Sequence, residues 1–195
     1  ITFTNTLKTV FRDYKLLLLI IGGLFMWVGY VQFDSIFPIY LVKEYHNGVV
    51  VYAEIVAVNA VLASTLQPFI SKRMIDFSFM RQVIIGVTFF VIGYLMYVVF
   101  NRLLWFMLGM GLLTIGELII LPLNDAWIGH LAHAERSGAY YAAGNFTMLG
   151  GGFGPALGGK IYDLFGIKVL FLLCAFITLM MLPLYKKALP AKESN

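Results

Sequence analysis

Charge is scarce in this sequence: only 12% of its 195 residues are Asp, Glu, Lys or Arg, and it carries a single cysteine. Soluble domains run near about 25% charged, so the first shortage excludes an ordinary water-soluble globule. The lone Cys174 excludes an internal disulfide and, inside an apolar run, reads as a small packing residue. Also missing are a Gly-x-Ser-x-Gly elbow, a P-loop lysine and a His-Glu-x-x-His pair, which leaves membrane-enzyme chemistry without a constellation. The 14 Lys and Arg exceed the 10 Asp and Glu by a net +4. They stand singly or in pairs between apolar runs, which is how topology signals are placed, and nucleic acid is excluded as a partner.

What the chain has in quantity is apolar surface, with 61% hydrophobic residues and a mean hydropathy of +0.86. A bilayer-spanning helix needs about 20 such residues. Six segments qualify: Leu16–Val42, Val49–Ile70, Gln82–Phe100, Leu103–Ile128, Gly138–Phe165 and Val169–Leu184. The expected fold is an all-α membrane protein, one transmembrane domain over residues 1–195, with only short polar connections. The chain opens at Ile1 on a basic, polar lead with no signal-peptide cleavage site, and it is read as a piece of a longer polypeptide.

Lys8, Arg12, Lys15, Lys72, Arg73, Arg81, Arg136, Lys186, Lys187 and Lys192 fall on one side of these spans. Lys43, Arg102, Lys160 and Lys168 fall on the other, a division of ten to four. The positive-inside rule then puts both termini in the cytoplasm.

A carboxylate at mid-membrane costs about 3 kcal/mol on insertion scales, so each one asks for a reason. Asp34, in Gln32-Phe33-Asp34-Ser35, lies about two turns from the outer end of the first segment, and Glu117 lies near the middle of the fourth. Glu54 and Asp125 sit near segment ends, where interfacial water reaches them. No Lys or Arg lies in the core of any segment, so Asp34 and Glu117 have no obvious cationic partner. An apolar setting favours the protonated acid, the property needed for a proton relay or for exchange with a cationic ligand. The competing reading is of neutral acids that hydrogen-bond neighbouring helices together.

Gly150, Gly154 and Gly158 recur on one helical face, the small-xxx-small pattern of close helix packing, and Pro155 cannot donate to the carbonyl of Gly151. A kink is expected there, with similar breaks at Pro38 and Pro122. Trp27, Tyr30, Phe33 and Phe37 follow helical spacing around Asp34, fitting either a cavity lining for flat or cationic ligands or plain core packing. Trp105 and Trp127 fit interfacial belts. His130 and His133 resemble half a metal site, but only Glu135 stands near them, and neither a metal nor another cofactor is expected.

With these residues placed, the chain resembles the C-terminal six-helix half of a major facilitator superfamily transporter along essentially its whole length. Gly150-x-x-x-Gly154-Pro155-x-x-Gly158-Gly159 is similar to the core of that superfamily's antiporter signature, although Tyr141 stands where an upstream glycine is expected. Gln32-Phe33-Asp34-x-x-x-Pro38 paired with Gly116-Glu117-x-x-x-x-Pro122 resembles the proton-linked multidrug exporters of Gram-positive bacteria. Glu135-Arg136-Ser137-Gly138-Ala139-Tyr140 resembles the connection between their tenth and eleventh helices. Ser71-Lys72-Arg73-Met74-Ile75-Asp76 keeps only the charge of the superfamily's loop motif, as a C-terminal half would.

The resemblance implies two inverted three-helix repeats, with the solute bound between this half and an N-terminal six-helix half. It implies a multi-pass protein of a bacterial cell membrane that exports small hydrophobic or cationic solutes against protons. Asp34 and Glu117 would serve proton coupling and solute binding. Tyr30, Gln32, Phe33, Phe37 and Asn124 would line the cavity. The glycine helix with Pro155 and Gly159 would bend or slide, and Arg73, Asp76 and Arg136 would belong to cytoplasmic loops. The alternatives are an importer or a lipid or glycolipid translocase of the same superfamily and, from another class, a six-helix membrane enzyme or assembly factor.

Overall fold

A computed structural model describes residues 11–132 and 136–189, and among these it contains helices and no strand. Helix α1 spans Tyr14–Glu44, α2 Gly48–Met74, α3 Phe79–Val99 and α4 Leu103–Leu131. A short α5, Ser137–Gly144, passes through a 3-10 turn, Asn145–Met148, into α6, Leu149–Leu179, and α7, Met181–Ala188, ends the described chain. Lys8, His133, Glu135 and Lys192, which entered the reading of the sequence, lie outside the described residues.

Asp13 fixes the start of α1 by accepting from the backbone N–H of Lys15 at 3.0 Å and of Leu16 at 3.3 Å. Its second oxygen accepts from the Tyr140 hydroxyl at 2.9 Å, which ties α5 to the base of α1. At the opposite end the Tyr45 hydroxyl donates to the carbonyl of Asn101 and joins the α1–α2 and α3–α4 connections.

Four helices are long and apolar enough to cross a membrane, followed by a continuous stretch of 52 residues, Ser137–Ala188. At 1.5 Å per residue that stretch would measure about 78 Å, more than twice the roughly 30 Å hydrocarbon layer. It folds back at Gly166, whose φ of 80° and ψ of 174° leave the helical region. That conformation is open to glycine and strained for other residues.

The two legs pack on α1 in opposite directions. Gly150 meets Leu24 and Trp27, and Gly158 meets Gln32; after the turn Phe171 meets Phe37, and Tyr185 meets Gly22. Among the described residues the helices therefore form six legs, three from α1–α3 and three from α4 onward.

The core lies among α1, α3, α4 and the second leg of α6. Phe33, Phe37, Tyr94, Tyr97, Phe106 and Phe171 are all buried there, and Phe37 meets Tyr97, Phe106 and Phe171 edge to face with centroids 4.9–5.6 Å apart. Helices α3 and α4 approach through paired glycines: a Cβ on Gly109 would lie 3.3 Å from the Gly93 carbonyl oxygen, and one on Gly116 2.9 Å from that of Gly86. Within a membrane, packing contact of this kind is what holds helices together, because lipid is as apolar as the side chains. Helix α2 stands apart, with only Gly48 and Ile55 buried in 27 residues.

Two expectations change. Helices α1 and α4 run through Pro38 and Pro122 without a break, and the non-helical residue of α6 is Gly166 and not the Pro155 turn. A proline in a membrane helix removes one donor, which neighbouring groups offset, so the helix need not end. Trp127 leaves the interfacial belt: it is buried, with Phe79 at 4.1 Å and His130 at 4.9 Å between ring centroids. Trp105 is half-buried and stacks on Phe100 at 4.1 Å.

Candidate functional site

Three helices meet at Glu117. The Tyr30 hydroxyl on α1 donates to Glu117 Oε2 at 2.7 Å, and Asn59 Nδ2 on α2 donates to the same oxygen at 3.2 Å. Asn59 Nδ2 also donates to Thr114 Oγ1 at 3.0 Å, and that hydroxyl in turn donates to the carbonyl of Met110 at 2.8 Å. Both of these hydrogen bonds to the carboxylate converge on one oxygen, Oε2. Tyr30 is held edge-on between Trp27 and Phe90, with centroids 6.1 and 6.2 Å away, which fixes where its hydroxyl points.

Asp34 follows Tyr30 by four residues, so the two share one face of α1. Its Oδ1 accepts from the Tyr52 hydroxyl of α2 at 3.2 Å. Asp34 is exposed in this structure and Glu117 is half-buried. Pro38 cannot donate to the carbonyl of Asp34, nor Pro122 to that of Leu118, so each carboxylate has a bare backbone acceptor on itself or its neighbour. Carboxylates, phenols and freed carbonyls make a polar cluster rich in acceptors, chemistry suited to a proton or an organic cation.

Tyr52, Asn59 and Thr114 do not figure in the reading of the sequence. A signal was available. Tyr52 and Asn59 are seven apart, two turns along one face of α2, and Thr114 precedes Glu117 by three on α4.

The residues expected to line a cavity divide. Phe33 and Phe37 are fully buried in the aromatic core, where interlocking rings leave no room for a solute. Gln32 is 2% exposed and lies between α1 and α6, its Nε2 donating to the carbonyls of Val28 at 2.8 Å and Gly154 at 2.9 Å. These three are packing residues in this structure. Tyr30 stays at the carboxylates. Asn124 borders a separate cavity of about 230 Å³ with Trp27, Asp125 and Tyr141, and its Oδ1 accepts from Tyr185 at 2.6 Å.

Gly150, Gly154 and Gly158 are buried against α1, whereas Gly159 has more room, with Ile36 at an ordinary 3.8 Å. Glu54 and Asp125 are exposed, as are Arg73 and Asp76 on the α2–α3 connection; Arg136 precedes α5.

Residues 16–195 match the family model described as Major Facilitator Superfamily. The uncharacterized MFS-type transporter YqjV of Bacillus subtilis (strain 168) is 28% identical over 177 residues, which cover 88% of this chain and 43% of that protein. YttB of the same organism, also an uncharacterized MFS-type transporter, is 28% identical over 191 residues, covering 93% of this chain and 48% of its own length. The chain thus spans less than half the length of these relatives. Among solved structures, a point mutant of the peptide transporter POT superposes with a TM-score of 0.75 at 17% identity, over 88% of this chain and 37% of that one. At that identity the likeness is one of fold.

Proposed function

The chain belongs to the major facilitator superfamily, and on that premise we propose that it is the C-terminal six-helix half of a proton-coupled transporter exporting small hydrophobic or cationic solutes. The observation that carries this reading is the Glu117 carboxylate, held near the middle of α4 by Tyr30 and Asn59 from two other helices. Asp34, more exposed on the same face, is the outer member of the pair, and a proton and a cationic solute would compete for the two carboxylates in turn.

The missing partner is an N-terminal six-helix half that closes the other wall of the cavity. Both termini of the chain face the cytoplasm of a bacterial cell in this reading, as the ten-to-four division of basic residues requires. The test is proton-gradient-driven solute flux by the complete polypeptide in liposomes, wild type against Asp34→Asn and Glu117→Gln at matched protein levels. Loss of flux or of proton coupling with normal insertion supports the reading. Wild-type flux and stoichiometry in both variants would make these carboxyls structural.

A further inference from the structure

We infer that the α2–α3 connection is a binding site for an anionic phospholipid, with its phosphate at Lys72, Arg73 and Arg81 and an acyl chain in the adjoining groove. The last turn of α2 supplies Lys72 and Arg73, and the first turn of α3 supplies Arg81. Phe77 lies between them. The guanidinium carbon of Arg73 is over its ring at 5.8 Å from the centroid, and that of Arg81 at 5.5 Å. One aromatic face system therefore gathers two cations that would otherwise repel each other, and stacking leaves the forked N–H groups at their edges available to an oxyanion. Asp76 is the acid within this connection, so the three cations keep a positive excess. The Phe77 carbonyl is held by Gln82 Nε2 at 2.9 Å, which keeps the ring's position defined relative to α3.

Directly beside this cluster is a groove of about 260 Å³ whose walls include Met74, Ile75 and Phe79 from the same connection and Leu118, Pro122 and Ala126 from α4. Ile75, on its rim, is 80% exposed. An apolar side chain so exposed, two to six residues from three cations at the end of membrane-length helices, is placed at a membrane surface. The combination selects the occupant. Free phosphate would use the cations and leave the groove empty, and a zwitterionic lipid would bring its own cation to a site already positive. A polyanionic protein segment has no acyl chain for the groove. An anionic phospholipid satisfies both parts, as basic sites between membrane helices do for anionic headgroups. The inference does not depend on the solute carried or on coupling at Glu117.

The complete polypeptide, placed in nanodiscs holding equal amounts of phosphatidylglycerol and phosphatidylcholine and then extracted, is assayed for lipid retained by native mass spectrometry. Wild type is expected to retain phosphatidylglycerol preferentially. Arg73→Gln with Arg81→Gln should reduce that preference roughly thirtyfold, from about 1 kcal/mol of surface attraction per charge. Ala126→Phe, which fills the groove with every charge in place, should reduce it as well. Inorganic phosphate at the same concentration should displace nothing. Equal retention of the two lipids by wild type, a preference that survives the double substitution, or displacement by inorganic phosphate would each overturn the assignment. If the double variant does not fold, the wild-type preference and the Ala126→Phe variant decide between the same outcomes.

Discussion

The side-chain amide of Gln32 is a clasp between α1 and the glycine face of α6: its Nε2 donates to the Gly154 carbonyl at 2.9 Å, and its Oε1 lies against Gly158, where any Cβ would overlap it. The Oε1 atom is buried with no hydrogen-bond partner. Contact with the Cα–H of a glycine is the weak interaction left to it. Gln32→Leu keeps the volume and removes both donated hydrogen bonds, leaving a buried carbonyl short of a donor. Its melting temperature, measured by size-exclusion chromatography after heating, should fall in line with a loss of about 1–3 kcal/mol.

Gly158→Ala should destabilise the same seam, because the added methyl occupies the position of Gln32 Oε1. The penalty should be smaller in a Gln32→Ala background, where the obstructing atom is gone. Simple addition of the two effects would show that the amide and the glycine do not meet.

Tyr30→Phe removes the donor at 2.7 Å from Glu117 and leaves the ring between Trp27 and Phe90. Insertion and melting should change little. Transport of a cationic solute should fall by about tenfold, from the loss of one charge-assisted hydrogen bond. Unchanged transport kinetics in liposomes would remove Tyr30 from the site.

Gly93→Leu or Gly109→Leu should prevent stable folding, since each glycine faces the other's backbone across α3 and α4. Yield of monodisperse protein is the readout. Gly138→Leu, where a Cβ would meet nothing within 4 Å, is the tolerated control.

Single cysteines at Asn47, Asn101 and Phe165 in a Cys174→Ser background should react with an impermeant thiol reagent added outside intact cells. One at Ser78 should not. Both Phe165 and Ser78 are exposed in the structure, so shielding by protein does not account for a difference. The reverse pattern would invert the orientation.

The apolar runs were legible because a bilayer demands about twenty consecutive apolar residues and tolerates few exceptions. The sequence separates Gly138–Phe165 from Val169–Leu184, and between them Gly166 reverses the chain through a dihedral and not through polarity. Asp34 and Glu117 stood out by their cost in lipid, whereas Tyr52 and Thr114 offer only their helical spacing in the sequence, and the packing of α2 on α1 and α4 is what joins them to the carboxylates. Gln32 misled for a related reason. An amide beside a carboxylate looks like part of a polar cavity, but a helix turns about 100° per residue, so residues 32 and 34 face different neighbours. The pairing of Gly86 with Gly116 and of Gly93 with Gly109 was equally hidden, because glycines seven apart on each helix become partners only once α3 and α4 lie antiparallel.

The stack of Phe79, Trp127 and His130 gives the protein an optical probe of its own. The chain has 3 tryptophans, and Trp127 alone is buried, packed on Phe79 where the start of α3 lies against the last turns of α4. With Trp27 and Trp105 replaced by phenylalanine, emission comes from an indole shielded from water as long as that end stays closed. A rocking motion that parted α3 from α4 would wet the indole and shift its light to the red, turning a change of shape into a change of colour without an attached dye.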